Sequence, residues 1–488
     1  MFACTTLTDN ASHITCLCHK PEFHAITRRI NMDLSRRGFI AGAGTSVAAL
    51  ATLGLPARAS AQAAAPSAPE VTVLTNFRLF DGTSSSLRDG LSLLIEGNQI
   101  KSVATGTPSA PDGARVIDCG GRTVMPGLID AHWHAMFAAL PVSTLLAGDV
   151  GYIHLAASAE AERTLMRGFT TIRDLGGPAF AFKQAIDEGL IAGPRIFPSG
   201  TMITASGGHG DLRPLSDLPR FKGGGLSVAE QIGGASIVDS PDEVRLRVRE
   251  QLMQGASQIK IVGGGGVSSP RSPLDLLTLS EAELRAAVEV ATDWNTFVTV
   301  HAYTPPTMQR AISAGARCIE HGHLMDDATA ELMASKDIWL SLQPFLTDDD
   351  AVPLTGPSRV AQVQVFAGTD SAYKLAIKHG IKTAFGSDML FSAALAARQG
   401  IMLTHLARWY SNADILKMAT STNAELLAMS GPRNPYPGTL GVVADGALAD
   451  LLVVDGNPLE NIDLLANTEK SLVLIMKDGK VYKDTIPA

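Results

Sequence analysis

Short apolar runs alternate with amphipathic stretches through the central part of the chain. Eight of these runs have the length and the β-branched content of buried strands, and they lie at residues 123–135, 170–173, 195–198, 258–262, 297–301, 318–321, 338–342 and 383–388. The stretches between them carry helix signals, such as the capping boxes that begin at Ser240 and Ser280. Alternating strands and helices predict a protein of the α/β class, and eight such strands predict a closed (β/α)8 TIM barrel.

Both ends of the mature chain have a different texture, typical of strands joined by tight turns. Apolar runs at 71–79, 91–96 and 100–104 are followed by a similar pair at 449–455 and 472–477. The turn signals beside them are Asp81-Gly82, Gly97-Asn98 and Asp478-Gly479. Because the second set of strands needs a partner sheet, we predict one composite β-sandwich from residues 70–124 and 437–488, beside a barrel at 125–436.

The amino-terminal segment has the composition of an export signal. Residues 35–40 read SRRGFI, which is a twin-arginine signature, and an apolar, alanine-rich stretch and small-residue sites follow at 41–55 and 59–61. We expect residues 1–61 to be removed and residues 62–69 to form a flexible linker. The apolar stretch is too short for a stable membrane span, so the mature protein is predicted to be periplasmic or secreted.

Composition narrows the class of partner. The 488 residues are 45% hydrophobic and carry a formal charge of −8, while the leader alone has six Lys or Arg against three Asp or Glu. The mature chain is therefore more acidic still, which argues against nucleic acid and anionic membranes and leaves a small molecule as the expected partner. Two of the five cysteines, Cys119 and Cys318, fall in the mature chain and are predicted to be buried thiols.

Residues able to bind a metal stand on five of the predicted barrel strands, mostly at their ends. They are His132, His134, Lys260, His301, His321 and Asp388. A strand period of two places the two histidines of the first strand on one face, with Asp130 as a candidate acceptor for an imidazole N–H. Singly, each residue could be a rim histidine or a helix cap. Together, in barrel order, they predict a metal centre.

The lysine has a specific chemical interpretation. Lys260 stands in an apolar, β-branched run that four glycines follow. An isolated strand lysine usually extends its amine to the surface. Beside metal ions, burial and positive charge favour the neutral amine, which can take up carbon dioxide and become an anionic carbamate. Such a group bridges two cations that lie about 3.5 to 4 Å apart.

This ordered set resembles the amidohydrolase superfamily of metal-dependent hydrolases, in which such residues follow barrel strands one, four, five, six and eight. The segments SGGHGD, VHAYTPP, IEHGHLMDD and GALADLLVVDGNPLENI begin at residues 206, 300, 319 and 446. They are similar to the branch that groups imidazolonepropionase-like proteins, Xaa-Pro dipeptidases and ochratoxin-hydrolysing amidases. The resemblance implies a TIM barrel, a composite β-sandwich and assembly into a homo-oligomer.

We expect two divalent metal ions, with zinc as the expected metal. His132, His134 and Asp388 are assigned to one ion, and His301 and His321 to the other. Carboxylated Lys260 and a hydroxide are expected to bridge them, and Asp388 to pass the proton of the hydroxide to the leaving nitrogen.

Four further residues are candidates for binding the substrate. The resemblance implies that His209 and Tyr303 contact the substrate carboxylate or the carbonyl oxygen as it becomes anionic. His323 is a candidate hydrogen-bond donor to Asp326 or to a substrate oxygen. Arg271 is a candidate clamp for a carboxylate, because its guanidinium geometry suits that task.

The predicted function is hydrolysis of an amide to a carboxy-terminal amino acid, in dipeptides or in N-acyl amino acids, including ochratoxin A. Two alternatives stay open at this point. A cyclic-amide or lactone hydrolase of the imidazolonepropionase type would share the metals but would often lack the bridging lysine. A noncatalytic binding relative would typically have lost ligands, whereas this chain keeps all six.

Overall fold

A computed structural model describes residues 70–106, 110–215, 225–269 and 271–487. The predicted leader at 1–61 and the linker at 62–69 lie outside these residues. The described strands are β1 (Val71–Leu79), β2 (Arg88–Glu96), β3 (Gln99–Thr105), β4 (Arg115–Pro126), β5 (Leu128–Trp133), β6 (Phe169–Asp174), β7 (Arg195–Pro198), β8 (Met202–Thr204), β9 (Ala235–Ile237), β10 (Ile259–Val262), β11 (Val298–Ala302), β12 (Cys318–His321), β13 (Trp339–Leu342), β14 (Thr383–Phe385), β15 (Leu451–Val454), β16 (Leu472–Lys477) and β17 (Lys480–Asp484).

The helices stand mainly between the barrel strands. They are α1 (Val142–Ala147), α2 (Val150–Met166), α3 (Ala179–Asp187), α4 (Val228–Gln231), α5 (Pro241–Gln254), α6 (Glu281–Asp293), α7 (Pro305–Ala314), α8 (Asp327–Ser335), α9 (Gly356–His379), α10 (Ala393–Ala396), α11 (Gln399–His405), α12 (Asn412–Lys417), α13 (Asn423–Ala428) and α14 (Thr468–Ser471). The cap at Ser280 is the predicted capping box, with Glu283 as its reciprocal partner. In the described part of the chain, no helix is long and apolar enough to cross a membrane.

The predicted TIM barrel is confirmed. Strands β5, β6 and β7 form one parallel ladder, and β10 to β14 form a second in chain order, with β8 beside β10 and β9 beside β8. The amide of Ser257 donates to the carbonyl of Pro198 at 2.8 Å, and the amide of Asp388 donates to that of His132 at 2.9 Å. These two contacts join the ladders and close the ring, so the carboxyl ends of all the strands face one opening.

The composite β domain is one seven-stranded sheet with the order β17-β16-β15-β4-β1-β2-β3. Side chains alternate along β15, as a strand period of two requires. Leu451 and Val453 belong to the sheet's own core, whereas Leu452 and Val454 belong to the core of the barrel. The carboxy-terminal strands therefore attach the sheet to the barrel through one of its faces.

One correction concerns the first barrel strand. The run at 123–135 was predicted as a single strand, but its first four residues end β4, where Pro126 pairs with Leu451. The chain leaves the sheet at Gly127 and enters the barrel at Leu128. A Cβ at Gly127 would lie 2.1 Å from Oγ1 of Thr170, so a residue with a side chain would clash at this position. Strand β4 before residue 123 was not predicted, because its first half is polar and largely exposed.

The two predicted mature thiols, Cys119 and Cys318, are free and buried, as expected. Cys119 lies in β4 and Cys318 in β12.

A buried ion pair links the barrel to the sheet and yields a stability prediction. Arg195 on β7 donates from Nε and Nη2 to Asp450 at 3.0 and 3.2 Å, and both side chains are almost fully buried. Asp450→Asn should lower the thermal unfolding midpoint by about 4 °C or more, because it removes one charge of a buried pair. Differential scanning fluorimetry measures this.

The matched control for that measurement is Glu281→Gln, which removes one charge of the exposed pair with Arg285. That midpoint should stay close to the wild-type value, since exposed pairs contribute little. Equal shifts in the two variants would contradict the structural role assigned to Asp450.

Candidate metal centre

Four imidazoles and one carboxylate converge at the opening of the barrel. Nε2 of His132 and Nε2 of His134, at the end of β5, each lie 3.4 Å from Oδ1 of Asp388, just after β14. The ring centroids of His301 and His321 are 4.3 Å apart, and those of His132 and His321 are 4.9 Å apart. The structure therefore brings together the five residues that the sequence proposes as imidazole and carboxylate ligands.

Each of these imidazoles uses one ring nitrogen on a protein acceptor. The contacts are His132 Nδ1 to Glu320 Oε2 at 2.8 Å, His134 Nδ1 to the Gly176 carbonyl at 3.3 Å, His301 Nε2 to the Gly265 carbonyl at 2.9 Å and His321 Nδ1 to Gln343 Oε1 at 2.8 Å. A ring nitrogen that donates to such an acceptor leaves a lone pair on the other nitrogen, which is the arrangement that metal-binding histidines use.

Burial sets the charge of these groups. It lowers the pKa of His132 to about 4 and lowers the pKa values of His301 and His321 well below the ordinary value. Burial alone would raise the pKa of Asp388, but the neighbouring ring of His132 and the hydrogen bond with His134 bring that pKa below its usual value. Neutral imidazoles and an ionised carboxylate at neutral pH are the protonation states that bind metals.

Two of the candidate ligands lie on left-handed backbone. His321 has a φ of 78° and Asp388 a φ of 51°. This conformation is uncommon for residues other than glycine, although histidine and aspartate tolerate it better than most. At the adjoining Gly386, a Cβ would lie 2.4 Å from Cβ of His132. The chain after β14 thus passes close against β5, which places the Asp388 carboxylate beside the histidines.

Lys260 lies on β10 and is 2% exposed. Its Nζ makes no hydrogen bond or ion pair with any residue in the described part of the chain, although it lines the same cavity as the histidines. Burial and the nearby charge of Arg173 lower its pKa, against the opposing effect of Glu320 and Asp388. A buried amine without a partner is costly as an ammonium. Its position therefore fits an amine that carries an added anionic group.

A buried ion pair below the histidines was not predicted from the sequence. Glu320 accepts from Nη2 of Arg173 at 2.6 Å and from Oγ1 of Thr299, and its other oxygen faces His132. Burial opposes its ionisation, yet the positive charge of Arg173 and the hydrogen bond with His132 hold the pKa of Glu320 well below its usual range. The available signal was that Arg173 and Glu320 are charged residues within short predicted strands, at 170–173 and 318–321.

Asp130 requires a correction. The sequence proposed it as the acceptor for an imidazole N–H, but Glu320 has that role. The carboxylate of Asp130 accepts from the amides of His132 and Ser387 at 3.0 and 3.1 Å, from Oγ of Ser387 at 2.6 Å and from Nε2 of Gln399 at 2.8 Å. It joins the first and last barrel strands instead of contacting a ring.

His209 and Tyr303 both line the cavity above the histidines. The ring of His209 stacks on that of His301 at 4.5 Å, and its buried Nδ1 has no hydrogen-bond partner among the described residues. A Cβ at Gly266 would lie 2.3 Å from that Nδ1, which explains one glycine of the run after β10. Tyr303 stacks on His321 at 4.8 Å. Both rings therefore lie between the candidate metal ligands and the cavity wall.

The other two candidates for substrate binding lie elsewhere. His323 does not line the cavity; its Nε2 lies 3.0 Å from the Gln343 carbonyl, and its ring stacks on Phe345. The carboxylate that it was predicted to contact, Asp326, instead accepts from the amide of Thr329 at the start of α8.

Arg271 is exposed and donates from Nη2 to the carbonyl of Arg213 at 2.7 Å. Its guanidinium is therefore not among the groups around the cavity, and the predicted carboxylate clamp is corrected. The sequence could not show this, because the direction of a loop side chain is not encoded in a local pattern.

The donor set fits a metal site. One ligand atom each from His132, His321 and Asp388 lies within 4.8 Å of the others, and His134 and His301 adjoin them. A cavity of about 410 Å³ opens above these residues. Fold and site together define a barrel protein with a ligand set for divalent metals at the carboxyl ends of its strands.

Residues 123–483 match the amidohydrolase family, and the chain belongs to that family. Ochratoxinase of Aspergillus niger is 30% identical over 382 residues, which are 74% of this chain and 75% of that protein. A solved amidohydrolase structure has a TM-score of 0.78 at 36% identity, covering 86% of this chain and 100% of the other. A prolidase complexed with N-methylphosphonate-L-proline has a TM-score of 0.78 at 34% identity, covering 85% and 100%.

The contact between Glu320 and His132 yields a prediction about metal binding. Glu320→Gln should weaken metal binding by about tenfold to a hundredfold, because it removes the charged acceptor that orients the His132 ring. Metal content after dialysis against buffered zinc, measured by inductively coupled plasma mass spectrometry, reports this independently of activity.

Glu160→Gln is the matched control, since Glu160 is also buried and pairs with Arg167 at 2.8 Å on α2. It should keep the wild-type metal content. Equal metal loss in both variants would point to general destabilisation and would contradict the role of Glu320.

Proposed function

We propose that this chain hydrolyses linear amides and releases a carboxy-terminal amino acid from dipeptides or N-acyl amino acids, using two divalent metal ions. Family membership and its amide-hydrolysing relatives support the reaction class. The observation that carries the proposal is Lys260, buried without a partner in the same cavity as four imidazoles and Asp388. A carbamate on this lysine would supply an anion that two cations can share.

In the proposed centre, His132, His134 and Asp388 would hold one ion, His301 and His321 would hold the other, and a carbamate on Lys260 would be a ligand available to both. Two divalent cations bound there would acidify a water molecule and polarise the carbonyl of the substrate. The carbamate forms when the neutral amine of Lys260 attacks the carbon of carbon dioxide and loses a proton. The lowered pKa of Lys260 supports this, since it increases the neutral fraction.

Asp388 is the proposed proton carrier. It is ionised at neutral pH, and its Oδ1 lies beside His132 and His134 on the floor of the cavity. A carboxylate there can accept the proton of the attacking water and then deliver it to the nitrogen that leaves.

His209 and Tyr303 are the proposed contacts to the substrate. Nδ1 of His209 is buried and free among the described residues, and Tyr303 presents a phenol whose pKa burial raises, so that it stays a donor. Neutral donors of this kind can bind a carboxylate, or a carbonyl oxygen as it becomes anionic. Ochratoxin A, an amide of phenylalanine, is one amide that we propose this site accepts.

Two other classes of protein are alternatives for this site. A cyclic-amide or lactone hydrolase is the alternative, and the buried, unpartnered Lys260 favours the linear amidase over it. A binding protein without catalysis is disfavoured by the complete set of six candidate ligands. We further propose zinc as the metal, export through the twin-arginine signal with removal of residues 1–61, and a homo-oligomer.

Asp388→Asn tests the proton carrier. We expect turnover to fall at least about a hundredfold, because the amide cannot accept the proton, while part of the metal stays bound. Steady-state kinetics and metal content measure the two effects. The control is Asp326→Asn at the start of α8, where Asn serves as a helix cap equally well, so its rate should be that of the wild type. A nearly wild-type rate for Asp388→Asn would contradict the assignment of Asp388 as the proton carrier.

Lys260→Ala tests the carbamate. With carbon-13-labelled bicarbonate, the wild type should show a carbamate resonance that Lys260→Ala lacks, because no other amine is buried in this cavity in the part of the chain that the structure describes. Lys477→Ala is the control, since Lys477 is also buried but its Nζ donates to the Gly193 carbonyl at 2.8 Å. Persistence of the resonance in Lys260→Ala would refute the carbamate.

The proposed function as a whole is tested by mass spectrometry of products from the metal-loaded mature protein. The panel contains dipeptides ending in proline, phenylalanine or arginine, N-acyl phenylalanines including ochratoxin A, and cyclic amides and lactones. Release of a free carboxy-terminal amino acid is the expected result. Ring opening alone would favour the alternative.

A further inference from the structure

The cavity above the metal centre has an apolar outer chamber. Its walls come from the segment around α1, from the loop between β13 and α9, from α9 itself and from the loop after β14. The apolar wall residues on which the argument rests are Phe137, Val142, Val352, Phe366, Leu390 and Phe391. Walls of this kind bind a ligand by removing its apolar surface from water.

The loop between β13 and α9 is fixed in place, so this wall is present before a ligand binds. Gln362 on α9 donates from Nε2 to the carbonyl of Val352 at 3.0 Å. The ring of Phe345 in the loop stacks on that of Phe366 at 5.4 Å. When a ligand binds to a preformed wall, the protein loses little conformational entropy. Selection among ligands then depends on the chemistry of the wall.

The charged side chain in the described wall of the chamber is already paired. The described lining residues that carry a formal charge are Lys260 and Asp388 on the floor and Asp350 in the wall. Asp350 is fully buried; it accepts from the amides of Leu346 and Thr347 at 2.9 and 2.8 Å and pairs with Arg398 at 2.7 Å. The wall that the structure describes therefore offers no unmatched anion.

We propose that this chain selects N-acyl amino acids whose acyl group is apolar and uncharged, and that it discriminates against an ammonium group on the part of the acyl group that enters the chamber. The inference rests on the proposed function and narrows its substrate class. An ammonium group in the chamber would lose its hydration without gaining an anionic partner from the described wall, whereas an alkyl or aryl group gains from leaving water.

The test compares amides of phenylalanine that differ by one amino group. Caproyl-phenylalanine is paired with ε-aminocaproyl-phenylalanine, which places the charge at the wall. Isocaproyl-phenylalanine is paired with leucyl-phenylalanine, which places the charge beside the scissile carbonyl, near Asp388 and away from the wall. With the metal-loaded mature protein, kcat/KM should be at least about tenfold higher for caproyl-phenylalanine than for ε-aminocaproyl-phenylalanine, and the second pair should differ less.

A wall variant makes the test specific to the chamber. Val352→Asp introduces an anion into the wall, so the preference for caproyl over ε-aminocaproyl should fall by at least about tenfold. Val360→Asp is the matched control, since Val360 is 60% exposed and does not line the cavity, and it should leave the preference unchanged. Leu354→Asp, at another lining position that is half exposed, replaces Val352→Asp if that variant does not fold.

The outcomes separate this inference from the function on which it rests. Equal or faster hydrolysis of ε-aminocaproyl-phenylalanine overturns the inference and leaves the amidase function standing. The inference is likewise overturned if dipeptides are cleaved while the caproyl amide is not, or if Val352→Asp and Val360→Asp change the preference equally. If no linear amide is hydrolysed, the proposed function is overturned, and so is the narrower inference.

Discussion

The site depends on a carboxylate that binds no metal in the proposed scheme. Asp130 accepts four hydrogen bonds, two from backbone amides and two from side chains, and the donors come from the first barrel strand, from the turn after the last strand and from Gln399 on α11. Because a barrel has no edge, its first and last strands must meet in one register. Asp130 fixes that register at the level where His132 and Asp388 stand. The distance between these two candidate ligands therefore depends on it.

The buried ion pair below the histidines also helps to position the site. Arg173 and Glu320 are fully buried and neutralise each other, and Glu320 reaches the ring of His132. A buried pair of this kind need not increase stability over an apolar core, since desolvation offsets the attraction. Its geometry does fix the ring, because imidazole nitrogens at hydrogen-bonding distance from a held carboxylate have little rotational freedom.

Much of this could be predicted from the sequence. The eight strands and the six candidate ligands follow from short apolar runs that end in polar residues, because strand position and strand order are local properties. Contacts between distant segments were predicted less well. Asp130 was predicted as the imidazole partner and Glu320 was not, since the choice depends on which neighbouring strand faces each ring. Arg271 was misplaced because a loop sets its direction. The break at Gly127 was missed because both sides of it are apolar and extended.

The departure of the chain from the sheet at Gly127 has a consequence for the order of folding. Strand β4 emerges from the ribosome long before its neighbour β15, whose Leu451 pairs with Pro126. Until β15 is synthesised, the edge of β4 at residues 123–126 has no hydrogen-bonding partner from that strand. Unpaired edges of this kind invite association with other chains. The interval between the synthesis of β4 and that of β15 is therefore a period in which the nascent chain is exposed to such association.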